Sequence, residues 1–416
     1  MGLVKRGGLV VGLILAGAAA TRQLQQEPAL IAKVLPRAVL TKVKGVEVFD
    51  AGYGSSISAD PSAAGYFYLL SDRGPNYDAG KDAKAFVMPA FTPRFGRFRL
   101  ERGRLMEVAK IEISDSGKTP LTGIPPMPGQ GGTGETALAP DGKWIPADPE
   151  GIDPEGITAI TGGEFWVAEE YGPSLLHLDS HGRTLERLSP YTGGEHVLPQ
   201  LFKKRRANRG IEGVSALPDG KTLMAIFEGP LDNPKAAGRM SVITRLFEYN
   251  TQSGGTRQFI YVQDAVDDHN SDIAAIDQTH FLVLERDTDM PGDSAKPAKI
   301  KRVYRIDISG ATDVSDPANG ADGMLFGGRS LETLAPSELQ AAGIVPVKKE
   351  LLVDLLALGY PHDKPEGVTV VDNHTIAVSN DDDFGLTEGP APKLLPKLGA
   401  TDFNEVYFIK LTAPLR

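Results

Sequence analysis

Five times along this chain a short motif, acidic in all but one case, opens an alternating apolar run, and an acidic motif closes the next run about fifteen residues later. The pairs are Ser58 with Asp72, Glu155 with Glu170, Glu212 with Glu228, Asp272 with Glu285, and Glu366 with Asn380 and Asp381. Their midpoints fall on turn residues, Gly65, Gly162-Gly163, Asp219-Gly220, Gln278-Thr279 and Asn373, so each unit reads as a β-hairpin. In an antiparallel hairpin the first residue of one strand lies beside the last residue of the other, which puts every pair at the open end. Repeats of this length commonly stand radially, and their open ends then meet on one rim. The expected fold is all-β, a β-propeller with a ring of carboxylates.

Further strand-like runs follow the hairpins, at 95–100 and 105–113, 175–178, 241–249 and 257–262, 302–308 and 350–355, and 405–411. The last unit lacks a final strand, and residues 46–50 are expected to supply it and so close the ring, which removes open sheet edges. Two stretches rich in Gly and Pro, 115–148 and 313–328, read as long loops, and either has room for a degenerate sixth blade. The count is therefore five or six. Long helical periodicity is scarce, and the clearest helix runs over 336–342, with Ser337 as its cap and Gly343 as its stop.

Net charge is −10, which argues against gripping a nucleic-acid backbone. The single basic cluster, Lys203 to Arg206, reads as a solvated loop. Lys5 and Arg6 precede an apolar stretch at 8–20 that ends in three alanines, the layout of a secretory signal. The expected division is a signal peptide at 1–20, an N-terminal segment at 21–45 and one domain at 46–411, with the product periplasmic or secreted and no membrane association after cleavage. There is no cysteine, hence no disulfide and no thiolate chemistry. Nothing signals oligomerisation, and a monomer is expected.

The opening motifs repeat Glu-Gly-(Ile/Val) at Glu155, Glu212 and Glu366, where glycine lets backbones approach closely near the axis. The closing motifs carry Asp72, Glu170, Glu228, Glu285 and Asp381, several of them beside Gly-Pro. Carboxylates crowded on one rim repel, and the repulsion is relieved by protons, basic side chains or a cation. Oxygen ligands without His or Cys select calcium, or magnesium with retained waters. The expected metal ligands are Asp72, Glu155, Glu170, Glu212, Glu228, Glu285, Glu366 and Asp381. Arg73, Arg209, Arg286 and Lys364 are interleaved with them, and guanidinium beside a bound cation is a combination that holds phosphate. Glu155, Glu212 and Glu366 are the expected catalytic carboxylates, orienting a water that the cation activates. Against this stands a structural reading in which the same charges pair between blades. There is no Gly-x-Ser-x-Gly elbow, and His269 is the one histidine kept as a candidate general acid or base.

At these motifs, SDRGPN at Ser71, EGI and WVAEEYGP over 155–173, NRGIEGVS at Asn208, IFEGPL at Ile226, and KPEGVTV with SNDDDFG near the C-terminus, the chain resembles the family named for the esterase-like activity of phytase. The resemblance spans about residues 46–411 and implies an exported phosphoesterase-like or phosphodiesterase-like domain whose acidic residues form the site. The leading expectation is a calcium-dependent hydrolase of small phosphate esters. A calcium-dependent lactonase or carboxylic esterase, and a non-catalytic propeller stabilised by metal, remain alternatives.

Overall fold

The computed structural model describes residues 28–193, 196–387, 391–394, 396–397 and 400–416. The expected signal segment and its cleavage point near Thr21 lie outside the described residues.

Leu282 and Leu284 pack into one apolar cluster while Phe281 and Val283, one step away on the same strand, pack into another. A strand with both faces buried reads as a continuous apolar run, and this one is sandwiched between two neighbouring sheets. The pattern repeats around the molecule. Five four-stranded antiparallel groups are present among the described residues. The first comprises Ser56–Ala59, Tyr66–Leu70, Arg94–Glu101 and Arg104–Glu112, and the second Pro154–Ile160, Glu164–Glu169, Ser174–Leu178 and Thr184–Leu188. The third comprises Ile211–Ala216, Thr222–Phe227, Ile243–Asn250 and Thr256–Val262, and the fourth His269–Ala275, His280–Arg286, Lys301–Asp307 and Lys348–Asp354. The fifth is Pro365–Asp372, Thr375–Asn380, Glu405–Lys410 and Pro28–Leu35.

Consecutive groups share a core. Phe95 and Ile113 of the first meet Ile157 and Val167 of the second, and Trp166 and Leu175 of the second meet Phe227 and Phe247 of the third. Ile226 and Phe259 of the third meet Phe281 and Ile306 of the fourth, whose Leu284 and Val303 meet Val378 and Ile409 of the fifth. Val34, Val406 and Phe408 of the fifth then meet Phe67 and Phe98 of the first, which closes the circle. Each such aromatic contributes roughly 1.5–3 kcal/mol by burial, so the interfaces rather than the individual sheets hold the architecture. The innermost strands neighbour one another in the same cyclic order. They come so close that a Cβ on Gly156 would lie 2.6 Å from the carbonyl oxygen of Glu212, and one on Gly213 2.6 Å from the nitrogen of Ile273. The protein is all-β and propeller-like.

The closing strand differs from expectation. Pro28–Leu35 pairs antiparallel with Glu405–Lys410 (Leu30 opposite Phe408) and parallel with Arg104–Glu112 (Lys33 opposite Arg104). Residues 46–50 do not close the ring. Val46–Phe49 pairs instead with Val39–Val43 across a turn whose Lys44 and Gly45 have φ of 48° and 86°, a tight reversal that commits both arms to a local hairpin. The segment 21–45 thus contributes a strand to the main sheet, and the folded unit begins before residue 46. The long stretch 115–148 supplies only Thr136–Leu138, which joins Ala83–Phe86 and Asn76–Gly80 in a three-stranded sheet. The helix is present at Pro336–Ala341, but Ala335, not Ser337, precedes it, and the amide of Ala335 donates to Glu338.

Candidate functional site

The opening glutamates sit on β-bulges. Pro154 is opposite Glu169 and Gly156 opposite Ala168, which leaves Glu155 out of the ladder, and the same shift isolates Glu212 between Ile211 and Gly213 and Glu366 between Pro365 and Gly367. A bulge re-aims the extra side chain, here toward the rim. In the fourth group the bulge lies between Asn270 and Asp272 and isolates Ser271. Asp272 therefore stands where the others have glycine. Its Oδ2 accepts from Ser56 Oγ (3.0 Å) and Val368 N (2.9 Å), and it ties inner strands together.

The same one-residue slip moves Glu285. It pairs with Asn270 as Glu169 pairs with Pro154, and Arg286 takes the place held elsewhere by Glu170, Glu228 and Asp381. Because side chains alternate along a strand, a slip of one changes what a residue faces. Glu285 accepts from Tyr261 Oη (2.5 Å), Asp264 N (2.6 Å) and Lys349 Nζ (2.6 Å) and does not line the cavity, so it is removed from the expected ligands.

The other expected residues converge. Asp72, Glu155, Glu170, Glu212, Glu228, Glu366 and Asp381 line one cavity of about 390 Å³, together with Arg73, Arg209, Arg286 and Lys364. The carboxylates strain one another. Burial, and after it the charges of Asp153, Glu212 and Glu366, hold Glu155 well above the usual carboxylate range. Burial followed by Glu228 does the same to Glu170 and to Glu212. Asp381 is raised by burial and then Asp383, and Asp72 by burial and then Asp153. Burial also raises Glu366, against the opposing pull of Arg286.

Glu228 is the exception. Burial alone would raise it, but contact with His269 and then the charge of Arg209 outweigh burial and hold it below the usual carboxylate range. Arg209 Nη2 lies 2.9 Å from His269 Nε2, and a guanidinium can only donate, so Nε2 accepts and the proton sits on Nδ1, which donates to Glu228. Burial brings His269 down to about 4, so the ring is neutral near pH 7. With its one lone pair taken by Arg209, His269 positions Arg209 against Glu228 and is not a free general base in this geometry.

The cations differ in freedom. Arg73 Nη1 donates to Glu135 Oε2 (3.1 Å) and Asn208 Oδ1 (3.3 Å), and its backbone amide donates to Asp153 Oδ1 (3.0 Å), which fixes one arm of its fork on protein partners. Arg286 donates to Ser271 Oγ (3.0 Å) and pairs with Glu366, and Lys364 pairs with Asp383 (2.7 Å). The cluster at 203–206 is not a solvated loop. Arg205 is buried, and its Nε donates to the carbonyls of Tyr171 (2.5 Å) and Glu170 (3.2 Å), which fixes the segment that carries the Glu170 carboxylate.

Asp153, Asn208, Asp363 and Asp383 also line the cavity, and sequence reasoning missed them. Asp153, Glu155 and Glu170 each offer an oxygen within 4.8 Å of the others, and Glu170, Glu212 and Glu228 form a second such set. Both sets contain only carboxylate oxygens, the donor chemistry of a hard cation.

Residues 51–384 match the family described as esterase-like activity of phytase. An uncharacterized secreted protein of Arthroderma benhamiae is 28% identical over 270 residues, 52% of this chain and 50% of that protein. The chain thus spans about half the length of the curated relative it matches. Among solved structures, an α-L-arabinofuranosidase from Podospora anserina in complex with cellotriose superposes with a TM-score of 0.39 at 9% identity, covering 94% of this chain and 98% of that one. A protein from Lactobacillus plantarum gives 0.36 at 11% identity, covering 92% and 99%. At such scores neither likeness bears on what this chain does.

Proposed function

Since the chain belongs to the esterase-like activity of phytase family, we propose that it is an exported, calcium-dependent hydrolase of small phosphate esters, built as a propeller whose five four-stranded groups are its blades. The observation that carries this reading is the mixture of charge in one cavity, where Glu155, Glu170, Glu212 and Glu228 stand in two oxygen sets and Arg209, Arg286 and Lys364 line the same space. The secreted relative supports export.

In this reading Asp153, Glu155, Glu170, Glu212 and Glu228 hold the cation, with Asp72 and Asp381 extending the acidic wall. Magnesium would suit the same oxygens. A bound divalent cation supplies charge compensation and polarises the ester. Arg209, Arg286 and Lys364 receive the phosphoryl oxygens, for which planar guanidinium groups are well shaped. Arg73 acts one step back, holding Asp153. Glu366, poised by Arg286, and the rim glutamates Glu155 and Glu212 orient the attacking water. A lactonase or carboxylic esterase would want an apolar pocket, whereas the larger apolar members of this lining are Phe384 and Pro75.

The test is hydrolysis of a phosphate monoester, a phosphodiester, phytate and a carboxylic ester by the purified protein, with calcium and after chelation. Calcium-dependent turnover of a phosphate ester is expected. Turnover of the carboxylic ester alone would overturn the substrate class. Silence across the panel, with calcium still raising the melting temperature, would make the ring a binding module.

A further inference from the structure

The two oxygen sets share one residue. Asp153, Glu155 and Glu170 form the first, and Glu170, Glu212 and Glu228 the second. Glu170 closes the second strand of the second group, with Glu155 from the bulge of its own group on one side and Glu212 and Glu228 of the third group on the other. A carboxylate has two oxygens with lone pairs on both sides, so one glutamate can serve two adjacent cations.

A cluster of acids alone would not make a site, but Glu170 and Glu212 accept from no described residue and Glu228 is only half engaged. Glu170 is 3% exposed and Glu212 9%, and no hydrogen bond from a described residue reaches either carboxylate. Glu228 is 5% exposed; its Oε1 is engaged by His269, while Oε2 is buried with no hydrogen-bond partner, the nearest cation being Arg209 Nε at 3.8 Å. A buried carboxylate oxygen without a donor is costly, and Glu228 Oε2 beside the carboxylates of Glu170 and Glu212 marks a place built for something that accepts lone pairs.

We infer that the cavity holds two divalent cations side by side, bridged by Glu170, one completed by Asp153 and Glu155 and the other by Glu212 and Glu228. This rests on the metal-dependent reading above and sets its stoichiometry. Two-metal sites are suited to in-line displacement at phosphorus, where one charge faces the attacking oxygen and the other the leaving oxygen.

The test uses calcium alone as the probe, titrated calorimetrically into the chelator-treated full-length protein, with no substrate present. Two calcium ions per chain are expected. Glu155→Gln and Glu212→Gln should each lose one ion and keep the other, and Glu170→Gln should weaken both by roughly 10-fold or more. Glutamine keeps the size of the side chain, and a circular dichroism melt in chelator checks that each variant folds; if Glu170→Gln fails to fold, the two other variants still decide. A single ion in the wild type, or loss of the same ion in Glu155→Gln and Glu212→Gln, would overturn the bridged pair and leave the hydrolase reading standing. Absence of any bound calcium alongside phosphate-ester turnover would instead sink the calcium dependence itself.

Discussion

The third and fourth groups build the same backbone and fill it with opposite charge. At the bulge one has Glu212 and the other Ser271, and at the closing position one has Glu228 and the other Arg286. No described residue donates to the carboxylate of Glu212, whereas Arg286 is already committed to Ser271 and to Glu366 of the fifth group. The repeat thus fixes where a side chain points and leaves its charge free. A ring of equivalent positions becomes an acidic cavity interrupted by a guanidinium because one group departs from the pattern.

The contrast can be broken most severely on its acidic side. Glu212→Gln is expected to lower kcat/KM for a phosphate ester by about 100-fold or more, as loss of a preorganised charged group at a reacting centre usually does. Unchanged kinetics would take Glu212 out of the site. In the fourth group, Arg286→Gln should raise KM for the same ester by roughly 10- to 100-fold, the scale of a lost charge-assisted contact, while a neutral carboxylic ester shows no such change. Equal effects on both substrates would mean that Arg286 serves the fold only.

Smaller effects sharpen the register. Asp272→Ala should destabilise by about 1–3 kcal/mol, from the stranded donors of Ser56 and Val368, as a shift in the urea midpoint, with calcium stoichiometry unchanged. Loss of calcium would make Asp272 a ligand. Asp268 is held up to about 7 by burial and then by Glu285. Between about pH 4 and 7 the native state keeps a proton that the unfolded chain releases, so its contribution to stability is present at low pH and is lost as pH rises through about 7. Asp268→Asn should flatten the stability profile over that window relative to wild type, and parallel profiles would count against the assignment. Glu285→Gln should leave calcium binding and turnover unchanged, its effect confined to the melting temperature through the contacts of Tyr261 and Lys349.

Much of this was legible in the chain. Glu155-Gly156, Glu212-Gly213 and Glu366-Gly367 announce themselves because a bulge and a close inner approach need glutamate and glycine side by side. The fourth unit was misread because an acid, Asp272, stands one place late. The apolar residue that follows held the signal: Ile157, Val214 and Val368 come directly after the glycine, and Ile273 comes directly after Asp272. Aligned on that position, Ser271 and Arg286 fall into place. Asp153 was invisible for a different reason, since it precedes the bulge and meets its partner Arg73 only across groups. Over 30–35 the closing strand alternates, with Ile31 and Lys33 exposed and Ala32 and Val34 buried, a short signal. A short apolar run beside a Lys-Gly turn at residues 44–45 looked better and was local.

Pairing Pro28–Leu35 with Glu405–Lys410 also sets when the molecule can be finished. The first described strand has no antiparallel partner until the last one has been synthesised, and closing a loop of that span is an entropic cost that contacts repay only afterwards. Until then Pro28–Leu35 has only its parallel neighbour Arg104–Glu112, and its other edge is available to a strand of a second unfinished copy. A ring joined at its ends matures all at once and late, and a chain truncated at either end forfeits the whole closure rather than one sheet.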